Sequence, residues 1–364
     1  HDPYVADGLA ENCTYNTVLP YIHTAREGVE RLGAMIEKYG SAEGFGIGFI
    51  DNKETWYLEN ACGHHWLACR IPDDKYFVTG NQSRFRDYDP NDKENFLADK
   101  DLLSFAEKNG LWDPKEKFDF HKAYSKDDIA DHTYNYTRVW GLQKLFTPSM
   151  KQDVDVNNFP VYAVPDSGHI NIPELRKAFR FHYDGTNHDP YLHNNGHEPW
   201  RPVSIFRTTQ THLLQVRPWL PDAIGHITYV ANGMADLGVF LPIYQGIKSF
   251  PKAYQIGDNH CTDDSAYWKF RKVMTLAMTN YNAYAPVVKE RYAKLEAEND
   301  ERQKEFETRY LAIYKEKPME AQDMLQAFSD QILNRALEVA DELTLDLFTR
   351  LTEDTMKNYM FHGA

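Results

Sequence analysis

Ile22, Ala25, Val29, Leu32 and Ile36 recur every three or four residues, which puts one apolar stripe on a helix and leaves Arg26, Glu30, Glu37 and Lys38 to its other faces. Thr24 and Glu27 have capping-box spacing, and Gly40 suits the helix end. The period then changes to two. Phe45 to Ile50 reads as a strand and Asp51-Asn52-Lys53 as a turn. The stretch WYLENACGHHWLACRIPDDKYFVTGNQ, Trp56 to Gln82, follows as a meander of three short runs. Its last run, Tyr76 to Thr79, delivers Gly80-Asn81-Gln82 at a strand tip, where backbone and amide can approach a ligand closely.

Tyr88 to Lys126 is loop-rich and charged, with one short helix from Lys100 to Asn109 closed by Gly110. Helices are expected from Tyr134 to Phe146 and from Glu174 to Tyr183, with a proline-punctuated connection between them. Val203 to Gln245 alternates again, and Pro218, Pro221 and Asn232-Gly233 cut it into strands of a second antiparallel sheet. Beyond Pro251 the pattern is helical. One stripe runs through Tyr267, Phe270, Met274, Ala277 and Tyr281, and another through Leu325, Phe328, Ile332, Ala336, Val339 and Leu343. The charged piece Lys289 to Lys317 reads as a long, largely solvated helix. Two sheets that each have a face to bury, with helices before and after them, predict a layered α+β fold. The expectation is one domain over 1–364, with its sheets within 1–250 and a helical region over 251–364.

A hydrophobic fraction of 42% and a charged fraction of 26% are ordinary for a globular chain of 364 residues. No apolar run approaches the roughly 20 residues of a membrane-spanning helix, so no membrane partner is expected. A net charge of −14 with scattered lysines and arginines argues against nucleic acid. Cys13, Cys62, Cys69 and Cys261 form no CxxC pair and no disulfide framework. The sequence leaves homo-oligomerisation open. A cytoplasmic location is the leaning, with a secreted or periplasmic one left open.

No GxSxG elbow, P-loop or glycine-rich dinucleotide fingerprint is present. His169, His182, His188, His193 and His197 lie close together in sequence with Asp184 and Asp189 among them, a composition that suits zinc. HExxH and repeated ligand spacing are absent, so a polar loop is expected there and no cofactor is assigned.

VLPYIHTAREGVERLG (Val18 to Gly33), WYLENACGHHWLACRIPDD (Trp56 to Asp74), RPVSIFRTTQTHLLQVRPWLP (Arg201 to Pro221), GVFLPIYQGI (Gly238 to Ile247) and SAYWKFR (Ser265 to Arg271) resemble, in order, the bacterial dipeptidase A family of N-terminal-nucleophile cysteine peptidases, to which the secernins are related. The resemblance implies an αββα sandwich and hydrolysis of dipeptides or short peptides by a cysteine whose own α-amino group is the base. It also implies that the nucleophile lies in a segment ahead of His1, a missing stretch of the same protein. Cys13 is not its replacement, and Cys62 and Cys69 read as small packing residues. Asn81, after Thr79-Gly80, resembles the asparagine that helps line an oxyanion site in related choloylglycine-type hydrolases. Arg207 resembles the arginine that steadies nucleophile or substrate carboxylate there, with Arg201 as runner-up. His65 and Gly80 are the remaining substrate-binding candidates. Two competing readings are a non-catalytic peptide-binding homologue and a metal-dependent hydrolase built on the histidine-rich loop.

Overall fold

The Thr24 hydroxyl accepts the Glu27 backbone N–H at 3.1 Å, and the Glu27 carboxylate reaches back to the His23 N–H. That reciprocal cap starts a helix over Ala25–Tyr39, which ends at Gly40 with φ of 72°. The computed structural model describes residues 2–61, 63–126, 128–156, 158–192 and 200–360. The chain divides into two compact units, His1–Asn171 and Ile172–Ala364, each mixing helices with an antiparallel sheet.

In the first unit Val29, Leu32 and Ile36 are fully buried against Trp56, Leu58 and Trp66. A Cβ at Gly33 would lie 2.2 Å from Trp66 Cζ2, so helix and sheet meet at backbone distance. Gly33→Ala is therefore expected to cost about 1–3 kcal/mol by overpacking, against the ~1 kcal/mol that alanine gains in a helix. Urea unfolding measures the balance, and a more stable variant would show that Trp66 can yield.

The sheet order is β1-β2-β3-β5, from Gly46–Ile50, Thr55–Asn60, Trp66–Arg70 and Phe96–Ala98. This corrects the expected meander in its third strand. The Tyr76–Phe77 run, β4, pairs instead with β6, Tyr162–Ala163. The turn after Ile71 carries the chain off the sheet, and Arg70 N donates to Asn95 O at 2.9 Å, so the edge of β3 is taken by β5. A three-residue strand inside a charged loop has too little periodicity to be seen in sequence.

In the second unit β7 (Gln210–Val216), β8 (His226–Asn232) and β9 (Leu241–Tyr244) form one antiparallel sheet, as the alternation predicts. Leu213, Ile227, Tyr229 and Leu241 share a core with the helices Ala266–Met278, Tyr281–Ile313 and Pro318–Asn358. The Tyr281–Ile313 helix is long and exposed over much of its surface, as its charge predicts, but one face is covered. It buries Leu295, Phe306 and Tyr310, and with them Glu296, Asn299 and Gln303. Glu296 is hidden because it is paired: its Oε1 accepts from Arg180 Nη2 at 2.6 Å and from Phe240 N at 2.7 Å. No described helix is long and apolar enough to cross a membrane.

Candidate active site

Period-two alternation in β2 sends Trp56 and Leu58 into the helix-covered core and turns Tyr57 and Glu59 to the other face. That face, the start of β1 and the Gly80–Ser83 loop enclose a cavity of about 560 Å³, with Glu59, Asn60, Gly80, Asn81, Gln82 and Asp131 among its lining residues. Its size lies within the roughly 300–1,000 Å³ of small-molecule sites.

Glu59 is 4% exposed yet fully bonded. Its carboxylate accepts Ser83 Oγ at 2.6 Å, Arg84 N at 2.9 Å and Phe85 N at 3.3 Å, which ties the loop to the strand. Burial pushes its pKa up, against the pull of these bonds. Arg84, also buried, donates from Nη2 to Pro160 O at 2.8 Å, and burial brings its pKa down to about 10. The loop is thus pinned from both sides. The buried Gln82 carboxamide has no hydrogen-bond partner among the described residues, a cost borne within the cavity wall.

Asn81 is exposed at this cavity, and its backbone N–H donates to Asn135 Oδ1 at 2.7 Å. A Cβ on Gly80 would come within 2.8 Å of the same oxygen, so the tip needs glycine. The structure brings Gly80 and Asn81 together in one lining. His65 is not among the lining residues. It is buried, with Nδ1 2.8 Å from Asp99 Oδ1 and its ring 4.2 Å from that of Phe105. Burial opposes its charge, but the Asp99 bond leaves its pKa raised. Arg201 and Arg207 belong to the second unit, Arg207 exposed and Arg201 half-buried. Burial and the Arg207 charge lower the Arg201 pKa, which marks two guanidinium groups close to one another.

Among the cysteines, Cys69 is buried and its thiol pKa is pushed well up by that burial, Cys13 donates to Ala10 O at 2.9 Å, and Cys261 is exposed. Cys62, His193 and His197 lie outside the described residues. Of the remaining histidine-rich stretch, His188 stacks on Trp200 at 3.8 Å between ring centroids. Ligand atoms of His182, Asp184 and Asp189 lie within 4.8 Å of one another. His182 Nδ1 is 3.0 Å from Asp189 Oδ1, and its Nε2 is 2.7 Å from Asp184 Oδ1. Nothing in the sequence singles out Glu59 or Asn135, since one acid in a strand and one asparagine at a helix start are common.

Sheet, pinned loop and polar cavity define an α+β protein with a preformed polar cleft. The chain belongs to peptidase family C69, whose model matches residues 1–294. It is 51% identical over 261 residues to a probable dipeptidase of Salmonella dublin, covering 71% of this chain and 59% of that protein. It is 32% identical over 288 residues to a probable dipeptidase of Latilactobacillus sakei, covering 78% of this chain and 60% of the relative. A probable dipeptidase A of Streptococcus pyogenes serotype M3 is 31% identical over 358 residues, 96% of this chain and 77% of its own length. The matches to the first two thus span about three-fifths of those relatives.

Proposed function

We propose that the protein is a cysteine-type dipeptidase that binds short peptides in the cavity of the first unit, with Asn81 as a donor to the developing oxyanion. The observation that carries this reading is that the peptidase-family match includes every residue lining that cavity. On this reading the nucleophile is a cysteine whose own α-amino group is the base. Its support within the chain is local: the Cys69 thiol is too buried and too weakly acidic to serve. A free α-amine, with a pKa of about 8, is a fitting base for a thiol at neutral pH. Arg207, with Arg201, has the fork that matches a peptide carboxylate.

A second reading, a metal-dependent hydrolase, is favoured by the grouping of His182, Asp184 and Asp189. An imidazole and two carboxylates suit a divalent transition metal. The Lys289 ammonium already stands 2.7 Å from Asp236 Oδ1 and 3.3 Å from His182 Nε2, so a metal ion has to compete with it and with the His182 proton.

The test is hydrolysis of free, N-acetylated and C-amidated dipeptides by the full-length gene product. Iodoacetamide is expected to abolish turnover and EDTA to leave it unchanged, with free dipeptides preferred. Loss with EDTA and recovery with zinc would establish the metal reading, and binding without turnover would establish a non-catalytic peptide-binding protein.

A further inference from the structure

Resting on the reading of Asn81 as an oxyanion donor, we infer that Arg138 and Asn135 are positioning residues that lock the Asn81 carboxamide with its NH₂ group toward the cavity. A carboxamide has a donor end and an acceptor end of nearly the same shape. Rotated by half a turn, Asn81 would present oxygen to a developing negative charge and oppose the reaction it is meant to assist. Something has to choose between the two orientations.

Guanidinium carries N–H donors and no acceptor, so whichever end of Asn81 meets Arg138 must be the oxygen. Arg138 Nη2 is 2.9 Å from Asn81 Oδ1. The same Nη2 donates to Asn135 Oδ1 at 2.8 Å, and Asn135 Oδ1 also accepts the Asn81 backbone N–H at 2.7 Å. The other end of Asn135 donates to Asp131 Oδ1 at 2.5 Å and to Asn81 O at 3.3 Å. Each orientation is therefore dictated by neighbours that can only donate or only accept.

The lock is also rigid. Asn135 is 3% exposed and immediately precedes the Tyr136–Phe146 helix, which carries Arg138. Arg138 Nε donates to Tyr134 O at 2.8 Å, fixing the plane of the fork. One helix start thus holds both the backbone and the side chain of Asn81. A Cβ on Gly80 would lie 3.3 Å from Arg138 Nη2 and closer still to Asn135, so the glycine beside Asn81 is what lets the lock approach.

The experiment uses full-length protein, ¹⁵N-labelled at asparagine, with the Asn81 NH₂ resonance assigned by its loss in Asn81→Ala. In Arg138→Ala that resonance should shift or broaden, kcat for a dipeptide should fall roughly tenfold with KM held within about twofold, and Tm should hold. Arg138→Lys, which keeps a cationic donor with no acceptor, should restore most of kcat. In an Asn81→Ala background Arg138→Ala should change kcat less than about twofold, because its partner is gone. An unchanged Asn81 resonance in Arg138→Ala, or full additivity of the two substitutions, overturns the inference. If Asn81→Ala itself leaves kcat intact, the oxyanion reading fails, while the resonance still decides whether Arg138 holds the amide.

Discussion

Asn81→Ala is expected to lower kcat for dipeptide hydrolysis about a hundredfold or more, with KM little changed and the fold intact. A preorganised donor aimed at a forming oxyanion contributes about 3 kcal/mol because it acts in the transition state without reorganising at the moment of reaction. Asn81 stands at the cavity with its Oδ1 held by Arg138 at 2.9 Å, and on the proposed reading its NH₂ end is the one offered to substrate. Its backbone N–H stays bonded to Asn135, so the substitution removes the side chain alone and leaves the loop pinned by Glu59. Steady-state kinetics beside a thermal melt checks this. A kcat near that of the wild type would remove Asn81 from the chemistry, whereas a parallel loss of Tm would assign it to structure.

What the sequence makes legible follows from how each signal arises. The Ala25–Tyr39 helix and strands β7 to β9 are long enough to repeat their period, and Thr24, Gly40 and Asn232-Gly233 punctuate them. Strand β5 repeats nothing, so no pattern discloses the partner of β3. Gly80 and Asn81 are visible through resemblance, at the end of a run that pairs with β6 rather than with β3. Glu59 and Asn135 are not visible, because a buried carboxylate and a buried amide gain their meaning from partners 24 to 54 residues away in the chain. The charged Tyr281–Ile313 helix is hard to read for the same reason: Glu296 looks solvated until Arg180 is placed beside it.

Those partnerships also set the largest expected stability change, at His182. Its ring is 1% exposed, with Nδ1 3.0 Å from Asp189 Oδ1 and Nε2 2.7 Å from Asp184 Oδ1 and 3.4 Å from Asp236 Oδ1. Tyr281 and Lys289 complete the group, their polar atoms 2.6 Å and 2.7 Å from the Asp236 carboxylate. His182→Ala strips the buried Asp189 of its cation and leaves Asp236 with Lys289 alone, which is expected to cost about 3–5 kcal/mol. Burial alone would lower the His182 pKa, but the carboxylates outweigh it and raise it from 6.5 to about 11. A folded-state pKa above the unfolded one stabilises most below the unfolded value, and the gain is lost as pH rises through the folded one. The stability margin of wild type over His182→Ala should therefore be fullest near pH 6 and shrink between about 6.5 and 11. Urea unfolding of both proteins at pH 6 and 9, with EDTA present, reads that margin directly. A margin that stays level or grows with pH would mean that the imidazole is neutral in the fold, the state in which it could ligate a metal ion.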